Sequence, residues 1–287
     1  MLSLLWIYWD PKPDLFIIPG LNWPILWYGV LFSAGFAFGF PIFVSVLTRY
    51  FSLREKSVAT AGLKKKATKI TDRLTLYMVV ATVVGARLGH FFFYERPRDY
   101  LNDPLEFLRI WEGGLASHGA VVGIILAMLL FSYRTGKKEG LDWLRLLDFV
   151  CVPTALAACF IRIGNFFNQE ILGTPSDLPW AVVFGHPADH SLPLPRHPVQ
   201  LYEALFYLAV FVLLWRLTFL PSFLLARGKL VGLFLILVFG FRFFIESFKT
   251  EQSHLLSFGS QLTMGQYLSL PVIALGFFFF FWKRGKR

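Results

Sequence analysis

Apolar residues are gathered into long blocks separated by polar links. The blocks run near 24–47, 74–94, 114–133, 143–164, 198–220, 230–248 and 264–282. Each holds about 20 residues, the length an α-helix needs to cross a hydrocarbon core. The pattern predicts an all-α, polytopic membrane protein with about seven transmembrane helices. Most of the links on one side read as short basic turns. Assigning the links alternately to two sides puts nineteen Lys and Arg on one side and six on the other, three more lying inside the blocks. By the positive-inside rule the N-terminus is expected outside and the C-terminus in the cytoplasm. Residues 1–287 are expected to form a single integral-membrane domain, with an external interfacial segment over 1–23 and external segments over 95–113 and 165–197.

Composition sharpens this picture. Twenty-eight Lys and Arg against eighteen Asp and Glu give a net +10, yet only 16% of residues are charged and 56% are hydrophobic. A basic soluble nucleic-acid binder is excluded by that balance, and the positive charge is mostly a topology signal. Disordered, collagenous and disulfide-scaffold classes are excluded as well. Cys151 and Cys159 lie eight residues apart in one apolar block, about 12 Å along a helix, and are expected to be small buried residues rather than a disulfide. The opening run lacks the basic start and small-residue cleavage site of a removable signal peptide, so Trp6, Tyr8 and Trp9 are expected to anchor at the membrane interface.

Three arginines, Arg87, Arg162 and Arg242, fall inside apolar blocks, where a central charge costs at least about 2.5 kcal/mol. Counted from the cytoplasmic ends, all three lie in the outer half of their spans. Tyr28, His118, Gln200 and Glu203 stand near the outer openings of other spans, so function is expected toward the outer face.

The densest polar cluster runs from Arg162 to Gly173. There Arg162, Asn165 and Asn168 recur at i, i+3 and i+6, which on a helix gives one broad face of a guanidinium and two amides able to bind phosphate oxygens, or a helix-end capping network. Arg242 and Glu246, at i and i+4, form either a buried ion pair or an arginine oriented by a carboxylate toward an anion. His118 lies between Gly114 and Gly119 at the mouth of the third span and reads as structural or functional. Zinc-protease, Walker and nucleophile-elbow patterns are absent. His186, His190 and His197, with Asp189, are better read as loop residues than as metal ligands, so no metal is expected.

Taken in order, these motifs resemble the prolipoprotein diacylglyceryl transferases of bacterial membranes. The resemblance is carried by Trp27-Tyr28-Gly29, Gly85-Ala86-Arg87-Leu88-Gly89, Glu112-Gly113-Gly114 with His118-Gly119, the Arg162–Gly173 run, the Arg196–Glu203 run, Arg242 with Glu246, and Met264–Pro271. It implies a cofactor-free transfer of diacylglycerol from phosphatidylglycerol to the lipobox cysteine thiol of a preprolipoprotein, with no nucleic acid involved. A thioether forms and glycerol 1-phosphate leaves. The implied setting is the bacterial inner membrane, multi-pass, with the site toward the outer leaflet. The implied catalytic residues are His118, Arg162 and Arg242, and the implied phosphatidylglycerol-binding residues are Arg162, Arg242, Tyr28, Arg87, Asn165, Gly119, Gly173 and Glu246. Two positions depart from the family pattern. Ile161 stands where glycine commonly precedes the first arginine, and Val238 replaces a tyrosine often found four residues before the second. A lipid or anion transporter using the same arginines is the alternative, disfavoured by the odd span count and the lack of an internal repeat.

Overall fold

Seven apolar helices carry most of the chain in a computed structural model that describes residues 6–20, 22–94, 114, 116–250 and 262–282. They are α1 (Trp27–Arg54), α2 (Thr60–Tyr94), α3 (Ser117–Arg134), α4 (Trp143–Phe167), α5 (Val199–Leu217), α6 (Lys229–Ile245) and α7 (Met264–Phe281). Six are long and apolar enough to cross a membrane, and α3 adds a shorter apolar helix over His118–Arg134. The polytopic expectation therefore holds. Outside the spans the fold is not all helical, because among the described residues five short strands flank them: β1 (Ile7–Trp9), β2 (Asp14–Ile18), β3 (Trp23–Leu26), β4 (Val182–Phe184) and β5 (Pro195–Arg196). Segment 95–113, expected to be external, with Arg96, Arg98, Arg109 and Glu112, and the basic tail Lys283–Arg287 lie outside the described residues.

Contacts divide the chain into two compact units, Phe51–Leu147 and Met1–Tyr50 with Asp148–Arg287. In the first, α2 runs for 35 residues, about 52 Å, well beyond the roughly 30 Å apolar core. Its first turns were expected to be part of a basic connector. They are helical because Leu63, Ala67, Ile70 and Leu74 recur on one face and are buried, while Lys64, Lys65, Lys69 and Arg73 stay exposed. Lys66 is tied to Glu55 at 2.9 Å and to Glu139 at 2.8 Å. Further along, α2 and α3 cross at glycines. A Cβ on Gly85 or Gly119 would overlap the backbone of the opposite helix, so only glycine permits this approach.

In the second unit α6 packs on α7 and α5 on α6, the last pair marked by Phe206 and Phe241 rings stacked at 4.0 Å. The start of α6 is pinned by Asp148 of α4, whose buried carboxylate accepts from the Gly228 and Val231 amides at 2.7 and 3.0 Å. An anion at a helix N-terminus satisfies otherwise orphaned N–H groups. Helix α7 opens on a capping box in which Thr263 and Gln266 exchange side-chain and backbone hydrogen bonds. Cys151 and Cys159 are both free and buried, as their apolar setting predicts.

The strands build a small cap on this unit. β1 pairs parallel with β4, and β4 antiparallel with β5, while β2 and β3 form a separate hairpin. Beneath the three-stranded sheet Phe166, Leu172, Val182 and Phe184 form a buried cluster with Trp9 packed against it. Trp6 and Tyr8 are exposed as an interfacial anchor requires. Trp9 is not. Its ring lies 4.6 Å from that of Phe166, and its indole N–H donates to the Phe166 carbonyl at 3.1 Å.

Candidate active site

Arg87, Arg162 and Arg242 lie seven, five and three residues before the C-terminal ends of α2, α4 and α6. That is within about two turns of ends whose dipoles favour cations. Their partners differ. In the unit Phe51–Leu147, Arg87 is buried and its Nη1 donates to the Gly114 carbonyl at 3.1 Å. Gly114 has φ +69°, a left-handed turn that also brings the Ala116 amide onto the Ala86 carbonyl at 2.9 Å. Arg87 thus holds the entry to α3. His118, one turn of chain later, is exposed with its ring 4.9 Å from that of Phe93. Gly119 packs against the backbone of Gly85 and Gly89, which gives it a helix-crossing role.

The other unit assembles the charged cluster. Arg162 places Nε 3.0 Å from Glu203 Oε2 and donates through Nη1 to Asn165 Oδ1 at 3.1 Å. Glu203, on the first turns of α5, is fully buried, and its second oxygen binds Lys249 Nζ at 3.0 Å. Lys249 also reaches Glu246 at 3.3 Å. Tyr207, one turn beyond Glu203, donates to Glu203 Oε1 at 3.3 Å and lies within reach of both Arg162 and Arg242. Such a buried chain is stable only because every charge finds an opposite one.

One spacing-based expectation is corrected here. Among the described residues Arg242 forms no ion pair with Glu246, whose carboxylate turns instead to Lys249, three residues on. Gly265 at the start of α7 makes room for that carboxylate, since a Cβ there would overlap it.

The amide side of the cluster continues from Asn165. Its Nδ2 donates to Glu170 Oε1 at 2.7 Å, and Asn168 Nδ2 reaches the same oxygen at 3.3 Å. Glu170's backbone carbonyl accepts from buried Gln200 at 2.7 Å. The Arg162–Gly173 run thus forms a helix-end network that includes the Arg162 guanidinium. Tyr28 at the start of α1 lies over Gly164, in electrostatic reach of Arg162 and Glu170. Gly173 is bound through its carbonyl to Arg196 Nη1 at 3.2 Å and to the Thr250 hydroxyl at 3.1 Å. Flanking backbone bonds, Thr174 to Phe248 and Thr250 to Leu172, both 2.9 Å, hold Lys249 in register beside Glu203.

Of the two family departures, Ile161 is half-buried and Val238 is buried. The missing tyrosine does not leave the cluster without a phenol, because Tyr207 supplies one from α5. Tyr207 and Lys249 were not singled out from sequence, and Glu203 and Glu170 were named there only at a span opening and within the Arg162–Gly173 run, with no role assigned. Glu203 carried the clearest signal, a carboxylate inside an apolar block, equivalent in kind to the three arginines.

Two of the three loop histidines have side-chain partners. His186 Nδ1 lies 2.6 Å from Asp10 Oδ1, which also accepts from Gln169 at 3.1 Å, and His197 faces the Tyr202 hydroxyl at 3.4 Å. The hydrogen bonds of His186 and Gln169 hold the Asp10 carboxyl below its ordinary value. A lowered folded-state pKa means that this contribution is present above about pH 4 and is lost as pH falls through the folded value. The His186 amide, which donates to Gln169 Oε1 at 2.8 Å, is expected to lose hydrogen-exchange protection on acidification. In Asp10→Asn it should be less protected already at neutral pH, with no acid step. An acid step of unchanged size in that variant would refute the assignment.

A family model described as prolipoprotein diacylglyceryl transferase matches residues 13–282. The chain belongs to the prolipoprotein diacylglyceryl transferase family. Among its relatives, a protein from Tolumonas auensis is 41% identical, with 94% of this chain and 95% of the relative covered. One from Chloroherpeton thalassium is 40% identical over 94% and 92%, and one from Protochlamydia amoebophila 36% over 95% and 94%. All three are named phosphatidylglycerol–prolipoprotein diacylglyceryl transferase. The family's matched region takes in every residue of the charged cluster.

Proposed function

We propose that this protein transfers the diacylglyceryl group of phosphatidylglycerol to the cysteine thiol of a prolipoprotein, the first step of lipoprotein maturation. The substrate sulfur forms a C–S bond to the diacylglyceryl carbon as the C–O bond to phosphate breaks. The thiol proton passes to a base, and glycerol 1-phosphate departs with the electron pair. The observation that carries this reading is the Arg162–Glu203–Lys249 chain in a family member. Glu203 holds one edge of the Arg162 guanidinium, so its remaining N–H groups are oriented for phosphate oxygens. Arg242, with no carboxylate of its own among the described residues, would offset charge developing on the leaving group. Tyr28, Asn165, Gly173 and Glu246 would complete the lipid site, and Arg87 and Gly119 are assigned to it by motif.

Purified protein given phosphatidylglycerol vesicles and a lipobox peptide should convert the free thiol to a diacylglyceryl thioether, read by mass spectrometry. Movement of lipid with the thiol left intact would make it a transporter instead.

His118 is proposed as the base. A thiol of pKa about 8.5 is only a few per cent ionised at neutral pH, so a base supplies at most about 30-fold. His118→Gln should lose activity that higher pH partly restores. A loss of equal size from about pH 6 to about pH 9.5, with weaker lipid binding, would make His118 a binding residue.

The proposed setting is the inner membrane with the N-terminus outside, the C-terminus in the cytoplasm and the cluster facing the outer leaflet. A single reactive cysteine at Lys65, exposed on the basic start of α2, should resist an impermeant maleimide in intact cells and react after permeabilisation. The buried native cysteines keep the background low. Labelling in intact cells would reverse the orientation.

A further inference from the structure

Beside the amide end of the charged cluster lies an open cavity of about 500 Å³, outside the spans. Its lining includes Asp10 and Lys12 from the N-terminal segment, Asn168 and Glu170 from the turn after α4, and His186 and Ala188 from the loop beyond β4. The walls are fixed against each other. Asp10 is bound by His186 and Gln169, and the Ala188 amide donates to the Gln169 carbonyl at 3.0 Å. Gln169 has φ +51° and Ile171 φ +57°, left-handed values that persist only where surrounding bonds enforce them. This is a preformed site.

Its charge selects the occupant. Asp10 and Glu170 outnumber Lys12, and His186 is engaged with Asp10, so a departing phosphate monoester would be repelled. An uncharged or basic polar chain, rich in N–H donors, would be welcomed by two carboxylates and the Asn168 amide. Asn168 and Glu170 also belong to the network that reaches Arg162 through Asn165. The cavity is therefore two hydrogen bonds, at Glu170, and three, at Asn168, from the guanidinium that would face the reacting phosphate.

We infer that this cavity binds the polar segment of the protein substrate that immediately follows the acceptor cysteine, as an extended chain. The inference rests on the transferase reading. With the thiol at the arginine cluster, two to four downstream residues would reach about 7 to 14 Å, the scale of a network two to three hydrogen bonds long. The membrane-embedded part of the substrate would engage elsewhere, so the two halves of the acceptor are recognised separately.

Two acceptors separate this from its alternatives: a peptide ending at the acceptor cysteine, and the same peptide extended by about five polar residues. Both should be modified by the native protein, and failure with both would reject the transferase reading rather than the cavity. Ala188 is exposed, so Ala188→Trp fills the cavity without disturbing a core. KM for the extended peptide is expected to rise about tenfold in this variant, while KM for the short one moves less than twofold and kcat is retained for both. A photoreactive residue two or three positions after the cysteine should crosslink to Asp10–Pro13 or to Asn168–Ala188, and Ala188→Trp should abolish that product. Equal KM shifts for the two peptides, or crosslinks confined to other segments, would overturn the proposal.

Discussion

Arg162→Gln, correctly inserted, is expected to lower diacylglyceryl transfer about 100-fold, the effect of losing roughly 3 kcal/mol of contact to a charge that grows in the transition state. Glutamine keeps part of the side chain's length and can still meet Asn165, so the loss would report charge rather than packing. Arg162→Lys should recover little. A lysine cannot hold Glu203 through one edge and present a planar pair of N–H groups through the other. Arg242→Gln should be similarly damaging. It removes a cation that has no carboxylate partner among the described residues, so its loss should disturb the fold less than the loss of Arg162. Near-normal transfer by Arg162→Gln would defeat the phosphate-clamp reading.

Glu203→Gln should be the most destabilising single change in the cluster. It leaves Arg162 and Lys249 buried without their shared counter-charge, and breaking such a pair from one side costs about 3 to 5 kcal/mol. The informative comparison is Glu203→Gln combined with Lys249→Met, which removes one cation with the anion. Thermal unfolding in detergent should show the double variant recovering part of the lost stability, because it removes the excess positive charge that Glu203→Gln creates, offset by the loss of the 3.3 Å contact between Lys249 and Glu246. Its transfer activity should stay low, since Arg162 is still without the carboxylate that aims it. Additive destabilisation would mean that Glu203 and Lys249 act independently, contrary to the geometry.

The parts of this molecule legible in sequence are those written in local terms. Apolar block length marked the helices, and charges inside blocks marked Arg87, Arg162 and Arg242. Spacing put Asn165 and Asn168 on the face of Arg162. What sequence concealed depends on contacts between distant segments. Nothing near Lys249 indicates that Glu203, on another helix, takes its charge, and the i, i+4 rule pointed Glu246 at the wrong cation. Asp10 finds Gln169 and His186 across more than half the chain. The first turns of α2 were readable but masked by their lysines, since a basic connector and the polar face of an amphipathic helix have the same composition. Only the positions of Leu63, Ala67, Ile70 and Leu74 distinguish them.

The parallel pairing of β1 with β4 also dictates an order of events during synthesis. Ile7–Trp9 cannot join the sheet until Val182–Phe184 has been made, and the sheet is not closed until Pro195–Arg196 follows. At the usual ribosomal pace of about 5 to 20 residues per second, the N-terminal strand waits roughly 10 to 40 s for its partner. Until Phe166 has been made, shortly before Val182–Phe184, Trp9 has no ring to cover it. The spanning helices can insert one by one as they emerge, whereas the small strand cap is assembled late, from segments made far apart in time.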